Sequence, residues 1–182
     1  MKTPDMTMMV PQKLQAFLAD ARGTATMEFV LVFPMLMWFV LTIFETGFIA
    51  TRSVLLERGL DMAARDLRLG IDPTMDHDKL KQRVCDNSSI LVNCERDLVL
   101  EVVELDLASA YPQNQANCID RTEEIAPTIT FNPGGRNRIM FVRACMIIDP
   151  IFPGLGITLG LQKDKSGGYQ LVAYTAFMNE PA

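Results

Sequence analysis

The chain has 182 residues, of which 49% are hydrophobic, and its 17 basic and 22 acidic residues give a net charge of −5. This length suits one modest domain together with an anchor segment. The acidic balance argues against a nucleic-acid partner, because the phosphate backbone requires a basic protein face.

The first apolar segment of the chain follows a short polar stretch. Residues 1–23 are predicted to form a soluble leader, and residues 29–44 contain no formally charged side chain. A helix needs roughly 20 mostly apolar residues to cross a bilayer. We therefore predict a transmembrane helix over residues 24–50.

Glu28 lies at the start of this apolar run. An ionised acidic residue costs roughly 2.5–3.5 kcal/mol at the centre of a membrane helix and less near its end. We therefore expect a cation beside Glu28. If the chain were cut after Gly23, the new ammonium group of Thr24 would lie one helical turn from the Glu28 carboxylate.

The residues around Gly23 resemble a known group of proteins. Gly23, four further residues, Glu28, Phe29 and a long apolar run are similar to the prepilin-peptidase site of type IV-type pilins. The longer string RGTATMEFVLVFPMLM, with Pro34 inside the run, resembles the TadE/TadG-like pilus assembly family of bacterial tight-adherence (Tad) secretion systems. The resemblance is close over about residues 17–68, and residues 173–181 resemble the end of such proteins.

This resemblance implies an anchored, pilin-like protein without enzymatic activity. It implies that a membrane prepilin peptidase cuts between Gly23 and Thr24, and that Glu28 and Phe29 serve peptidase recognition and assembly. The protein would be a TadE-like minor pilin or pseudopilin that takes part in assembling a Tad (Flp, type IVc) adhesion pilus. Its expected partners are the inner membrane, the peptidase, other pilins or pseudopilins and the Tad assembly platform proteins.

Two other interpretations of the N-terminal segment remain open. An uncleaved signal anchor would give a single-pass envelope scaffold or binding module with almost the same topology. A secretory signal peptide would have a shorter apolar core and a small-residue cleavage site, and the string ETGFIATR after the run contains no convincing A-x-A pattern. Basic residues flank both ends of the run, so the positive-inside rule does not fix the orientation. The family resemblance implies a cytoplasmic N-terminus and a periplasmic head.

Beyond residue 50 the helical pattern becomes amphipathic. Residues 51–70 are predicted to extend the helix to about Leu69, and the string GIDP at residues 70–73 ends it. Apolar residues recur on one stripe, which would pack on the protein's own head or against neighbouring helices. The stripe consists of Ile49, Leu56, Leu60, Ala63 and Leu67.

Two residues inside the helix carry separate expectations. Pro34 removes one backbone hydrogen bond and is expected to kink or loosen its turn. Glu45 lies about 26 Å beyond Glu28 along the helix axis, so we expect it near the far bilayer face, hydrated by interfacial water. On this interpretation, replacing Glu45 by alanine has a mild effect.

Residues 71–182 are predicted to form a head domain, which gives an α+β, pilin-like fold. Asp76 is the expected N-cap of a short helix that runs through Cys85. Turn-bounded runs of branched and apolar residues predict three strands of a small antiparallel sheet. These strands are Leu98–Leu105, Ile139–Ile148 and Tyr169–Met178. Residues 106–127 are expected to form a long loop held through Cys118.

All four cysteines, Cys85, Cys94, Cys118 and Cys145, follow the apolar run. An even number of cysteines in one small domain suggests two disulfides formed in an oxidising periplasm. Three connectivities are possible. We favour Cys85–Cys94 with Cys118–Cys145, because the first pair closes a short loop, and four buried thiols are the alternative.

The sequence contains no convincing catalytic or metal-binding constellation. His77, the only histidine, lies between Asp76 and Asp78, where helix capping and macrodipole compensation explain the acids better than a metal site does. Residues 154–160 are glycine-rich but lack the Lys-Ser/Thr of a P-loop. We therefore expect no enzymatic activity, cofactor, metal ion or small-molecule ligand.

Overall fold

The computed structural model of the protein describes residues 24–105, 118–119, 121, 130–155, 160–161 and 163–180. The elements, in chain order, are helices α1 (Thr24–Arg68), α2 (His77–Asp86) and α3 (Cys94–Asp97), followed by strands β1 (Leu98–Leu105), β2 (Ile139–Ile148) and β3 (Tyr169–Met178). The chain divides into two units, one ending at Val40 and the other beginning at Leu41. This is the α+β layout expected from the sequence, a long N-terminal helix followed by a small antiparallel sheet.

Helix α1 is continuous from Thr24 to Arg68 and includes Pro34. Proline has no backbone N–H, so the carbonyl of Val30, four residues earlier, lacks its usual helical donor. Gly70, with φ of +60°, follows the end of the helix. Its N–H donates to the Leu67 carbonyl at 3.2 Å, which satisfies one of the free carbonyls that every helix end exposes.

The second unit contains a three-stranded antiparallel sheet in the order β1-β2-β3. On the β3 side, Ile139 lies opposite Met178 and Ile148 lies opposite Tyr169, so all ten residues of β2 are paired with β3. On the β1 side, the pairing runs from Ile139 to Met146. All three strands have the bounds predicted from the sequence. β2 is central and almost entirely buried, which fits its run of branched and apolar side chains.

The two outer strands differ in how much of their free edge is covered. On β1, the Val102 N–H donates to the Thr130 carbonyl and the Asn132 N–H donates to the Val102 carbonyl, both at 3.0 Å. On β3, a bridge between Lys163 and Tyr169 covers the beginning of the strand. Beyond this bridge, β3 forms an edge of the sheet within the described part of the chain.

The predicted apolar stripe of α1 packs against the sheet. Its five residues are all buried and belong to one core cluster with the α1-facing residues of the strands. Of the two predicted environments for the stripe, the structure shows the protein's own head. The stripe residues are Ile49, Leu56, Leu60, Ala63 and Leu67.

Helices α1 and α2 approach each other closely at Gly59. A Cβ atom on Gly59 would fall on the Ser88 hydroxyl and lie 2.7 Å from the Val84 carbonyl oxygen. The buried Ser88 hydroxyl donates to the Leu55 carbonyl at 2.9 Å. A residue larger than glycine would therefore push α2 away from α1.

Helix α2 begins as the sequence predicts. The Asp76 carboxylate accepts a hydrogen bond from the Lys79 N–H at 2.8 Å and caps the helix. The helix ends at Asp86, one residue beyond the predicted end, a difference within the usual uncertainty of helix boundaries.

Two disulfides connect these elements. Cys85, in α2, is bonded to Cys94, the first residue of α3. Cys118 is bonded to Cys145 on β2. This is the connectivity that the sequence favours. The long loop predicted over residues 106–127 lies outside the described residues, apart from residues 118, 119 and 121.

Candidate functional site

The first part of α1 exposes a large apolar surface. Among the described residues, one helix is long and apolar enough to cross a membrane, by length and composition, and it is α1. Soluble monomers rarely expose contiguous apolar patches above a few hundred Å², so this surface fits lipid or packed helices. Its exposed large side chains are Met27, Phe29, Val30, Leu31, Val32, Phe33, Met35, Leu36, Trp38, Phe39, Ile43 and Phe44.

The predicted recognition residues lie in the first turns of this surface. Glu28 is exposed, and its carboxylate has no hydrogen bond or ion pair with another described residue. The Phe29 ring stacks on the Phe33 ring, with centroids 4.9 Å apart. Gly23 lies outside the described residues, and Thr24 is the first residue of α1. The pairing of Glu28 with a Thr24 ammonium therefore stays a prediction.

Glu45 is buried within the protein, so the expected hydration by interfacial water is wrong, while its position near the far bilayer face stays a prediction. Its side chain is buried, with 1% of its surface exposed. One carboxylate oxygen, Oε1, accepts a hydrogen bond from the Ile151 N–H at 3.2 Å, and the other, Oε2, accepts one from the Phe152 N–H at 3.0 Å. Two backbone donors thus replace the water that was expected to solvate this carboxylate.

A second contact between α1 and the same loop lies two helical turns further on. The Arg52 guanidinium donates from Nη1 to the Asp149 carbonyl at 3.3 Å. Tyr169, the first residue of β3, is buried close to both Arg52 and Glu45. Burial raises the pKa of the Tyr169 hydroxyl, and the neighbouring Arg52 partly offsets this effect. Helix, loop and sheet therefore converge at this point.

The Asp149 side chain is held by a bidentate ion pair. Arg121 donates from Nη1 to Asp149 Oδ2 at 2.8 Å and from Nη2 to Asp149 Oδ1 at 2.7 Å. The hydrogen bonds from Arg121 lower the pKa of the Asp149 carboxyl, and the same bonds raise the pKa of Arg121. A Cβ on Gly168 would lie 2.5 Å from the Ile147 side chain and on the Arg121 guanidinium, so glycine is required for this close approach.

Sequence reasoning missed three of these contacts: the bond from Glu45 to the loop, the bond from Arg52 to Asp149, and the Arg121–Asp149 pair. The one available signal was Glu45 itself, an acid kept between apolar residues of a helix without a basic residue one turn away. Such a residue requires a partner from elsewhere in the chain. Its partners are 106 and 107 residues away in sequence, so no local pattern identifies them.

The described residues do not assemble a metal centre. Within them, no group of three or more His, Cys, Asp or Glu side chains is placed to hold an ion. His77 instead lies with its Nε2 3.3 Å from the Leu100 carbonyl and its Nδ1 3.3 Å from Asp78 Oδ1. The histidine thus joins the start of α2 to β1.

Comparison with known proteins identifies one segment of the chain. The model of the family described as TadE-like protein matches residues 23–65. No curated protein and no solved structure matches the chain. The matched segment begins at Gly23 and contains Glu28, Phe29, Pro34 and Glu45. The resemblance predicted from the sequence is therefore confirmed for residues 23–65, which form a TadE-like segment of the chain.

Proposed function

We propose that the protein is a TadE-like minor pilin or pseudopilin that takes part in assembling a Tad (Flp, type IVc) adhesion pilus. The observation that carries this proposal is the exposed apolar surface of α1, whose first turns contain Glu28 and Phe29 inside the TadE-like segment. An apolar helix of this length suits both a bilayer before assembly and a bundle of neighbouring helices after it.

The proposed organisation has four parts. Residues 1–23 are a cytoplasmic leader, residues 24–50 cross the inner membrane, residues 51–70 extend the helix, and residues 71–182 form a periplasmic head. The two disulfides support the periplasmic placement of the head, because disulfides persist in oxidising compartments.

Processing and assembly depend on the start of α1 in this proposal. The prepilin peptidase cuts between Gly23 and Thr24 and requires a small residue at the scissile position. The new ammonium group of Thr24, in the same chain or a neighbouring one, pairs with the Glu28 carboxylate. Such a pair offsets the cost of placing either charge among apolar side chains. It also fixes the register between packed helices, and Pro34 loosens one turn for their packing.

The head supplies the recognition surface in this scheme, and the chemistry of secretion is left to other proteins. Its expected partners are other pilins or pseudopilins and the Tad assembly platform proteins. The described residues of the head support a structural role, since their charged side chains pair across elements and cap helices. Examples are Arg143, which pairs with Glu101 across β1 and β2, and Glu180, which pairs with Arg68 at the end of α1.

Cleavage is tested by replacing Gly23 with leucine in the native host. We expect the wild-type protein to begin at Thr24 and the Gly23→Leu variant to keep its leader, because the bulkier side chain does not fit the peptidase. N-terminal sequencing and intact mass of the membrane-extracted protein measure this. Gly47→Leu is the matched control, since Gly47 is exposed and a Cβ atom there meets no atom within 4 Å, and it should be cleaved normally.

An intact leader on the wild-type protein, with the peptidase present, would reject the pilin proposal. It would favour an uncleaved single-pass scaffold or binding module that presents the same head.

A further inference from the structure

The loop formed by residues 150–155, here called the Ile151 loop, lies alongside α1. The chain enters the loop at Asp149, whose carbonyl accepts a hydrogen bond from Arg52. Two and three residues later, the Ile151 and Phe152 N–H groups donate to Glu45. Arg52 and Glu45 are seven residues apart on the helix, about 10 Å along its axis. The loop therefore runs along α1 from the level of Arg52 to the level of Glu45.

The side chains change from polar to apolar over this short distance. At the level of Arg52, the Asp149 carboxylate is paired with Arg121. The Ile151 loop itself has the sequence PIFPGL, without a charged residue, and Ile151 is 44% exposed. On α1, Phe44 and Phe48 flank Glu45 in sequence and are also exposed. Exposed apolar side chains therefore occur on both the loop and the turns of α1 that hold it.

The hydrogen bonding of the loop suits an environment with little water. Backbone N–H groups next to lipid require partners within the protein, since lipid tails supply none. The Ile151 and Phe152 N–H groups both have such a partner in Glu45. Conversely, the carboxylate of Glu45 obtains two donors without contact with water. An acid within an apolar helix and two loop amides thus satisfy each other.

We propose that the Ile151 loop inserts into the lipid interface at the periplasmic edge of the inner membrane. This inference rests on the proposed function, in which residues 24–50 cross the bilayer. Glu45 belongs to that segment, so a loop bound to Glu45 lies at the depth of the bilayer edge. The partner is therefore the acyl-chain and headgroup boundary, where aromatic and aliphatic side chains are stabilised. The head rests on the membrane through this loop before assembly.

The experiment measures quenching of tryptophan fluorescence by lipid. The chain has a single tryptophan, Trp38. In a Trp38→Phe background, one tryptophan is introduced by Ile151→Trp, Phe44→Trp or Leu69→Trp. Leu69 is the matched control, because it is 44% exposed like Ile151 and lies about 36 Å beyond Glu45 along the helix direction. Each full-length protein is reconstituted in phosphatidylcholine vesicles with bromine near the carbonyl end of the acyl chains.

We expect the Ile151→Trp variant to lose as much fluorescence as the Phe44→Trp variant, and the Leu69→Trp variant to lose little. Equal, weak quenching of the Ile151→Trp and Leu69→Trp variants would overturn the proposal if the Phe44→Trp variant is quenched. In that case protein covers the loop, for example a helix of another subunit.

Two controls keep the outcome decisive. Trp38 in the wild-type chain reports on the anchor alone. If it is not quenched by bromine near the methyl end of the acyl chains, the proposed membrane anchor fails, whereas quenched Trp38 with an unquenched Ile151→Trp variant rejects only the loop insertion. Non-reducing peptide mapping checks that each variant forms both disulfides. Should Ile151→Trp fail this check, Phe152→Trp, an aromatic-for-aromatic change, takes its place.

Discussion

The two parts of α1 differ in residue pattern and in how their apolar side chains are covered. From residue 24 to residue 44, large apolar side chains are exposed on every turn. From residue 45 to residue 68, one stripe is buried in the core and the opposite face is charged. All-round hydrophobicity suits a helix surrounded by lipid or other helices, whereas a one-sided pattern suits packing on a domain.

The first acid of each part, Glu28 and Glu45, shows the same difference. Glu28 is exposed and has no partner within the described residues, whereas Glu45 is buried and accepts two backbone hydrogen bonds. A partner from outside the described residues is expected for the first, and the protein itself provides the partners of the second. A carboxylate in an apolar helix is therefore understood only from what contacts it.

The largest expected difference between the two parts concerns leucine packing. Leu60 is 1% exposed and Leu36 is 54% exposed. Leu60→Ala should lower the free energy of unfolding of the head by about 3–5 kcal/mol, because it leaves a cavity in the core. Leu36→Ala should leave it unchanged. Urea unfolding of the purified chain in detergent measures both, and equal effects would mean that the exposed part also supports the head.

The next largest effect concerns the two glutamates. Glu45→Ala should destabilise the head by roughly 1–3 kcal/mol, because the partly buried N–H groups of Ile151 and Phe152 lose their acceptor. Glu45→Gln keeps one acceptor oxygen and should cost less. Unfolding midpoints of the purified variants measure this. A wild-type midpoint for Glu45→Ala would show that water replaces the carboxylate.

Glu28→Ala is the control for head stability and tests assembly in its own right. It should leave the unfolding midpoint and membrane insertion intact, because removing a charge from an apolar segment favours the membrane. Pilus counts at matched protein levels should fall, since a neighbouring ammonium would lose its partner. Normal piliation would mean that Glu28 only marks the membrane boundary.

A smaller difference in stability is expected between alanine substitutions at Gly59 and at Gly47. Gly59→Ala should destabilise the head by about 1–3 kcal/mol, because the added methyl group meets Ser88 and the Val84 carbonyl. Gly47→Ala meets no atom within 4 Å and should be neutral or stabilising, since alanine favours a helix. Thermal unfolding of the two variants under one condition decides this. Destabilisation by Gly47→Ala would indicate a contact at Gly47 on the exposed face of the helix.

The smallest expected effect is a loss of stability of the head in acid, which arises from the pair of Asp149 and Arg121. Arg121 lowers the pKa of the Asp149 carboxyl below its ordinary value of 3.8. The stability contributed by this pair is therefore complete above that value and is lost as the pH falls through the lower, folded-state pKa. The effect should be modest, because Asp149 is largely exposed. Asp149→Asn should remove this part of the stability loss between pH 4 and pH 2 in unfolding measurements; an unchanged profile would contradict the role of the pair.

Much of the head could be predicted from sequence because its signals are local. Strand β2 has apolar side chains at every second position and a turn before it, and its bounds were predicted correctly. The Asp76 cap and the helix end near Gly70 follow from one or two residues each. The disulfide between Cys85 and Cys94 closes a separation of nine residues, which a sequence argument can favour.

The features that the sequence did not reveal are contacts between distant segments. The partners of Glu45 come from a loop more than a hundred residues later, and the contact of Gly59 with Ser88 depends on how two helices pack. Glycine in a helix is compatible with many roles, so its presence alone does not identify a close approach. Glu28 and Phe29 were proposed as recognition residues from their spacing to Gly23, and both their role and the cleavage stay predictions.

Strand β3 is an edge of the sheet among the described residues, which has a consequence for handling the isolated head. An open edge offers unpaired backbone groups to any other strand, and natural proteins usually protect such edges with lysine or proline. The ten residues of β3, YQLVAYTAFM, contain neither. A head freed from its anchor and concentrated in solution is therefore prone to edge-to-edge aggregation. A lysine at the exposed position Ala176 would introduce the missing protection and keep the domain soluble.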